Sequence, residues 1–147
     1  MNASSHLRHR ARRLVVQAMY QWQITGLDVA EIEGQFRADA EHANADLDYF
    51  AQLLRGTVGH VVEIDSELAP VTDRPLAEVD PVERAILRLG TYELAHCLDV
   101  PYRVVINEAV KLAKVFGAED GYKYANSVLD KVARKLRAIE IAAADRH

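Results

Sequence analysis

Apolar residues recur along this chain at steps of three and four, the period that places them on one stripe of an α-helix. Leu7, Ala11, Leu14, Val15, Ala18, Met19 and Trp22 form the first such stripe. After the Thr25-Gly26 break, Asp28 followed by Glu31 has the form of a capping box and predicts a second helix. Phe50, Leu53, Leu54, Val58, Val61, Val62 and Leu68 predict a long third helix from about Asp48 to Glu67. The segment Pro70 to Pro75 interrupts that series, with room for a short helical turn.

The clearest start signal is Asp80-Pro81-Val82-Glu83. Asp80 suits an N-cap, Pro81 has no N–H to lose at the first helical position, and Glu83 sits at capping-box spacing. Val82, Ile86 and Leu89 continue down one face to about Cys97. Between Pro101 and Gly117, Val105, Ala109, Leu112, Ala113 and Phe116 form the next stripe. Ala125, Val128, Leu129, Val132 and Leu136 define a last helix from about Gly121 to Arg137, whose late Lys131, Arg134, Lys135 and Arg137 favour the negative end of its dipole. Residues 1–137 thus read as a single helical domain and 138–147 as a flexible C-terminal tail. No segment alternates cleanly between turn signals as a strand does, so the fold class is all-α with six or seven helices.

Half of the 147 residues are hydrophobic and only four are proline, which suits one folded domain. Cys97 is the sole cysteine, so no internal disulfide forms; with no signal-peptide pattern, a reducing cytoplasm is the expected setting. No apolar run approaches the roughly 18 residues that cross a bilayer. Charge alters the picture most. The first 27 residues contain no Asp or Glu but carry Arg8, Arg10, Arg12 and Arg13, in a chain of formal net charge −4, which leaves −8 for the rest. Positive charge placed so locally on an acidic body points to a polyanion partner.

Catalytic patterns are missing from this map. His6, His9, His42, His60, His96 and His147 show no His-Glu-x-x-His spacing, and one cysteine supplies no thiolate cluster. His6 and His9 lie one turn apart, a spacing that alone does not make a ligand pair, and no metal or other cofactor is expected. Phosphate-binding glycine loops and nucleophile elbows are also absent from the sequence. Gly117-Ala118-Glu119-Asp120-Gly121 lacks the alternating oxygen ligands of a calcium loop and reads as a helix stop followed by an acidic helix start.

Two positions break the helical pattern. In the first helix Tyr20 lies with His9, Arg13 and Val16 opposite the apolar stripe; it either packs on a neighbouring helix or joins a contact surface with the arginines. In the Asp80 helix, Glu93 falls in the middle of the apolar face, where a carboxylate needs a partner such as an arginine or a helix terminus. Leu87 and Leu94 widen the apolar surface beyond one face. Either this helix is buried on two sides, or the leucines form a docking patch with Glu83 at its rim.

The chain resembles the NusB transcription antitermination factors in several motifs running in order from Arg8 to about Arg137. They are Arg8-His9-Arg10-Ala11-Arg12 with Val16-Gln17-Ala18-Met19-Tyr20, then Val82-Glu83-Arg84-Ala85-Ile86-Leu87-Arg88 with Tyr92-Glu93-Leu94. Asp99-Val100-Pro101-Tyr102, Ile106 to Lys114, Phe116 to Asp120, and Asn126 to Lys131 follow. The resemblance implies two three-helix bundles packed across each other, about seven helices in all, and no catalytic activity. It implies pairing with NusE, a ribosomal small-subunit protein, on the single-stranded boxA element of nascent RNA, and through that complex an indirect link to other Nus factors and RNA polymerase. Ribosomal RNA operons would be the beneficiaries.

By the same resemblance Arg8, His9, Arg10, Arg12 and Arg13 meet RNA phosphates, and Asp120, Lys123 and Tyr124 lie on the RNA side. Tyr20, Glu83, Leu87 and Leu94 face NusE. His9 stands where relatives often have arginine, Tyr124 where phenylalanine is usual, and Ser127 where glycine follows the asparagine. The chain also resembles the RNA-binding domain of some ribosomal RNA cytosine methyltransferases, although it ends at His147 without room for a catalytic domain. A helical homodimeric scaffold is the remaining alternative.

Overall fold

Helix boundaries follow the local stop and start chemistry along most of the chain. The computed structural model describes residues 3–40, 44–117 and 120–145; His42, Glu119 and His147 lie outside them. Helix α1 spans Ala3–Thr25 and ends where Gly26 adopts φ +69°, a left-handed geometry that costs glycine little. Helix α2, Val29–Ala40, starts behind Asp28, whose carboxylate accepts the Ala30 N–H at 2.8 Å. Helix α3, Leu47–Gly59, is capped by Asp46, which accepts the Tyr49 N–H at 3.0 Å.

The predicted long third helix is two helices. Helix α3 stops at Gly59 and α4 runs over Val61–Leu68, with His60 between them at φ −111°, ψ 20°. Both parts of the apolar series pack on α5, and the bend lets α3 also reach α1 and α2 while α4 reaches α7. A 3₁₀ turn, Leu76–Glu78, leads to helix α5, Pro81–His96. Asp80 occupies its N-cap and Pro81 its first turn as predicted, but the Asp80 side chain makes no capping hydrogen bond. Helix α6 spans Tyr102–Phe116 and α7 Gly121–Leu136.

Residues 138–145, expected as tail, include an eighth helix, α8, Ala138–Asp145. The chain redirects at Arg137, which is buried and donates to the carbonyl oxygens of Glu93, Leu94, Cys97 and Val100. Its guanidinium thus satisfies backbone acceptors at and just beyond the end of α5, while Glu140 pairs with it from α8. Among the described residues every regular element is helical.

Helices α1, α2 and α3 pack on one another, as do α5, α6 and α7. Helix α5 also meets α1, α3 and α4, which makes it the central element. Its surroundings correct one expectation: Leu87 and Leu94 are both 0% exposed, so the widened apolar face is core and offers nothing to a partner. The helix is buried on two sides, the plainer of the two sequence readings.

Candidate nucleic-acid interface

The arginines of α1 separate according to the face each occupies. Arg12 turns inward, is 3% exposed, and places Nε 2.8 Å and a terminal nitrogen 2.9 Å from the two carboxylate oxygens of Glu93. The Tyr49 hydroxyl donates to the same carboxylate at 2.8 Å. Glu93 therefore finds the arginine partner that its position requires, and Arg12 is committed to it. The Arg12 guanidinium is held charged by Glu93 against the opposing and larger effect of burial, and burial pushes the Tyr49 phenol above its ordinary range. The expected phosphate-contacting role does not suit Arg12, which is buried at the floor of the groove beside Arg8 and holds Glu93 with Nε and one terminal nitrogen.

The other members of the basic segment lie nearer the surface. His9 Nδ1 lies 2.6 Å from a carboxylate oxygen of Glu108 in α6, tying the ring to its neighbour helix. Arg8 stacks over Tyr49 with its guanidinium carbon 4.3 Å from the ring centre, and borders a groove with Ser5, Asp99, Asn107, Glu108 and Lys111. Arg10 donates to His6 at 3.0 Å on the exposed side of the helix. Arg13 reaches toward the end of α6, 6.0 Å from the Phe116 ring centre, and shares a shallow groove with Arg10, Leu14 and Gln17.

The turn after Phe116 links this basic helix to a second cationic group. Asp120 adopts φ 69°, unusual for a residue with a Cβ but tolerated by Asp, and introduces α7. One turn into α7, Lys123 Nζ lies 3.3 Å from Asp120. Tyr122 has Lys114 at 4.8 Å and Lys123 at 5.9 Å from its ring centre. Tyr124, half-buried, donates its hydroxyl to Asp73 at 2.9 Å, with Arg74 at 5.3 Å from its ring centre. The Asp73 carboxylate is held below its ordinary range chiefly by its hydrogen bonds from Arg74, and burial raises the Tyr124 phenol. The turn is therefore ringed by cations seated on aromatic faces, the chemistry that attracts phosphates and stacks bases.

Lys114, Tyr122, Asp73 and Arg74 did not emerge from the sequence reading. Tyr122-Lys123-Tyr124 does place two aromatic residues around a lysine, a local signal for part of the group. Asp73 and Arg74 come from a distant loop, and only the fold brings them to Tyr124.

The residues expected to face a protein partner also part company. Tyr20 is 43% exposed and so available on the surface. Glu83 is half-buried, and its carboxylate lies against Gly121, where a Cβ would push the end of the glutamate side chain aside. Burial, and then the neighbouring Asp80, pushes the Glu83 carboxyl above its ordinary value. Glu83 thus adjoins the start of α7, beside the cation–aromatic group, and is not remote from it.

Known proteins share both this fold and the sequence. The model of the NusB family matches residues 9–134. The transcription antitermination protein NusB of Alcanivorax borkumensis is 55% identical over 133 residues, covering 90% of this chain and 89% of that one. Its counterpart from Hahella chejuensis is 48% identical over 144 residues, covering 98% of this chain and 97% of that one. Among solved structures, T. maritima NusB matches with a TM-score of 0.75 and 29% identity, over 86% of this chain and 90% of that one. A chain from a complex of antitermination factors NusB and NusE with double-stranded RNA matches with a TM-score of 0.78 and 27% identity, over 88% and 98% respectively. Sequence agreement along nearly the whole chain, together with a shared helical fold, places this chain in the NusB family.

Proposed function

We propose that this chain is a cytoplasmic transcription antitermination factor that binds boxA RNA together with NusE and supports processive transcription of ribosomal RNA operons. The observation that carries the RNA half of this reading is the cation–aromatic surface formed by Arg74, Lys114, Tyr122, Lys123 and Tyr124, on a chain of the NusB family. Arg8, Arg10 and Arg13 supply salt-dependent attraction to phosphates, while His9 orients α1 against Glu108. Tyr124 offers a ring for an unpaired base, with Lys123 beside it and Arg74 holding its position from the α4–α5 connection. Asp120 shapes the turn and pairs with Lys123, so its charge is partly spent within the surface.

NusE is placed next to this surface, with Tyr20 and Glu83 as its contacts. The mutual packing of α1, α2 and α3 and of α5, α6 and α7 supports a reading of the fold as two three-helix bundles packed across each other. NusE would add a second RNA-binding surface, and two linked weak sites bind one strand more tightly than either alone. Other Nus factors and RNA polymerase join through that complex.

Equilibrium binding of boxA and scrambled RNA, with and without NusE across a salt series, tests the proposal. Preference for boxA that tightens with NusE is the expected result. Equal binding of both RNAs, unchanged by NusE, rejects it.

A further inference from the structure

On a surface formed by α3, α4 and α5, three side chains of metal-ligating type converge: His60, Glu63 and His96. All three are exposed. His60 occupies the corner between α3 and α4, Glu63 sits in the first turn of α4, and His96 is the last residue of α5. One donor atom from each lies within 4.8 Å of the others. His96 Nε2 is 3.1 and 3.2 Å from the two carboxylate oxygens of Glu63. The two imidazole rings lie 4.3 Å apart between centres.

The site has features beyond proximity. His60 Nδ1 is 2.8 Å from the Gly56 carbonyl oxygen. A carbonyl can only accept, so Nδ1 carries the hydrogen and Nε2 is left with its lone pair, the arrangement by which backbone carbonyls orient metal-binding imidazoles. Tyr92, itself buried, backs both rings, at 5.8 Å from His60 and 5.2 Å from His96. This aromatic wall limits how far either imidazole can turn away. Cys97, although next in sequence to His96, is buried, and burial raises its thiol to about 11, so it contributes no thiolate ligand.

We propose that His60, Glu63 and His96 form a surface site for one divalent ion of the zinc class. Two imidazoles and one carboxylate form a donor set that such ions use in sites with an open position, which water fills here. Magnesium and calcium want mostly oxygen donors and are disfavoured. A tetrahedral zinc ion separates its nitrogen and oxygen ligands by about 3.4 Å. The His96–Glu63 pair already meets that spacing, and the wider separations close by rotation of exposed side chains. On binding, the His96 Nε2 proton that faces Glu63 leaves to solvent while Nδ1 holds or takes up one, so a neutral imidazole presents its Nε2 lone pair to the metal. The ion then joins the α3–α4 corner to the end of α5.

The sequence reading sets metal binding aside after considering His6 with His9, and the contrast provides the control. Isothermal titration of the tag-free full chain with zinc chloride is expected to show one ion per chain, with no comparable binding of magnesium chloride. His60→Gln, Glu63→Gln and His96→Gln are each expected to weaken zinc binding at least tenfold, whereas His6→Gln leaves it unchanged. Cobalt chloride gives an independent readout: the visible bands of four-coordinate cobalt should appear with the parent chain and fade in each ligand variant. Glu63→Gln preserves side-chain shape at an exposed position and remains informative if a histidine variant loses its fold. Equal zinc affinity in the parent and Glu63→Gln, or binding abolished by His6→Gln alone, would overturn the site.

Discussion

An arginine, a carboxylate and a tyrosine meet in similar geometry at two places, one inside the molecule with Glu93 and one on its surface with Asp73. Within the core, Arg12 grips Glu93 through two nitrogens, Tyr49 donates to that carboxylate, and the guanidinium lies 5.3 Å from the tyrosine ring. At the surface Arg74 grips Asp73 through two nitrogens, Tyr124 donates to that carboxylate, and the guanidinium again lies 5.3 Å from the ring. Their exposure separates them: the side chains of Arg12 and Glu93 are 4% and 2% exposed, those of Arg74 and Asp73 45% and 60%. Burial turns the first trio into a structural joint between α1, α3 and α5. Solvent weakens the internal attractions of the second and leaves it free to exchange them for a ligand.

That contrast breaks most visibly when each arginine is removed. Arg12→Ala leaves a carboxylate uncompensated in the interior, and a loss of about 3–5 kcal/mol in unfolding free energy is expected. Urea titration followed by circular dichroism measures it. Arg74→Ala should leave the urea midpoint where it was. Replacing the inner trio together, as Arg12→Met, Tyr49→Phe and Glu93→Leu, should recover most of the loss, because an apolar core needs no ion pair. A comparable destabilisation from Arg12→Ala and Arg74→Ala would erase the distinction drawn from burial.

Ligand binding should invert the ranking. Tyr124→Ala is expected to weaken boxA RNA binding by about 1–3 kcal/mol, roughly five- to 150-fold, while leaving the fold intact. Tyr124→Phe keeps the ring, loses only the bond to Asp73, and should bind nearly as well as the parent. Fluorescence anisotropy with labelled RNA at fixed salt checks both. Full affinity in Tyr124→Ala would mean that no base stacks on this ring.

The helical fold could be read from the chain because its signals are local. Asp28, Gly26 and Pro81 act within a turn of themselves, and the three- and four-residue periods repeat across whole helices. Failures came where distant partners decide. The Val58-to-Leu68 apolar series gives no sign of a bend, because the bend answers to α1 and α2 on one side and α7 on the other. Arg137 looks like any late-helix cation until the fold directs it to four carbonyl groups contributed by α5 and the segment after it. Arg12 is indistinguishable from Arg10 and Arg13 by composition, and only the position of Glu93 turns it inward. Of the candidate surface, Arg10 and Arg13 were legible as local charge and Lys123 and Tyr124 through the family resemblance, but the Asp73-Arg74 support is a contact between loop and helix that no spacing encodes.

A subtler effect sharpens the comparison among the α1 arginines. Neutralising a cation that touches an RNA phosphate lowers the slope of log affinity against log salt by about 0.7 for single-stranded RNA. Arg10→Gln and Arg13→Gln should each show a change of that size. Arg12 is 3% exposed and commits Nε and one terminal nitrogen to Glu93, so its replacement within the repacked triple variant should leave the slope unchanged. Binding of a short boxA RNA over a series of potassium chloride concentrations provides the measurement.

The smallest expected effect concerns Glu83, which sits between the proposed protein contact and the start of α7. Its carboxyl is raised above the ordinary 4.5 by burial, so the folded state holds the proton more tightly than the unfolded chain. Stability from this group is then fully present below the unfolded value and declines as pH rises through the folded one. Glu83→Gln keeps the shape against Gly121 without the charge, so it should remove that decline and make the chain slightly more stable than the parent at neutral pH. Urea midpoints from acid to neutral pH decide the matter. A parent and variant whose difference stays flat across that range would show that Glu83 is solvated as freely in the folded chain as in the unfolded one, and that the half-buried position beside Gly121 gives way when the carboxylate charges.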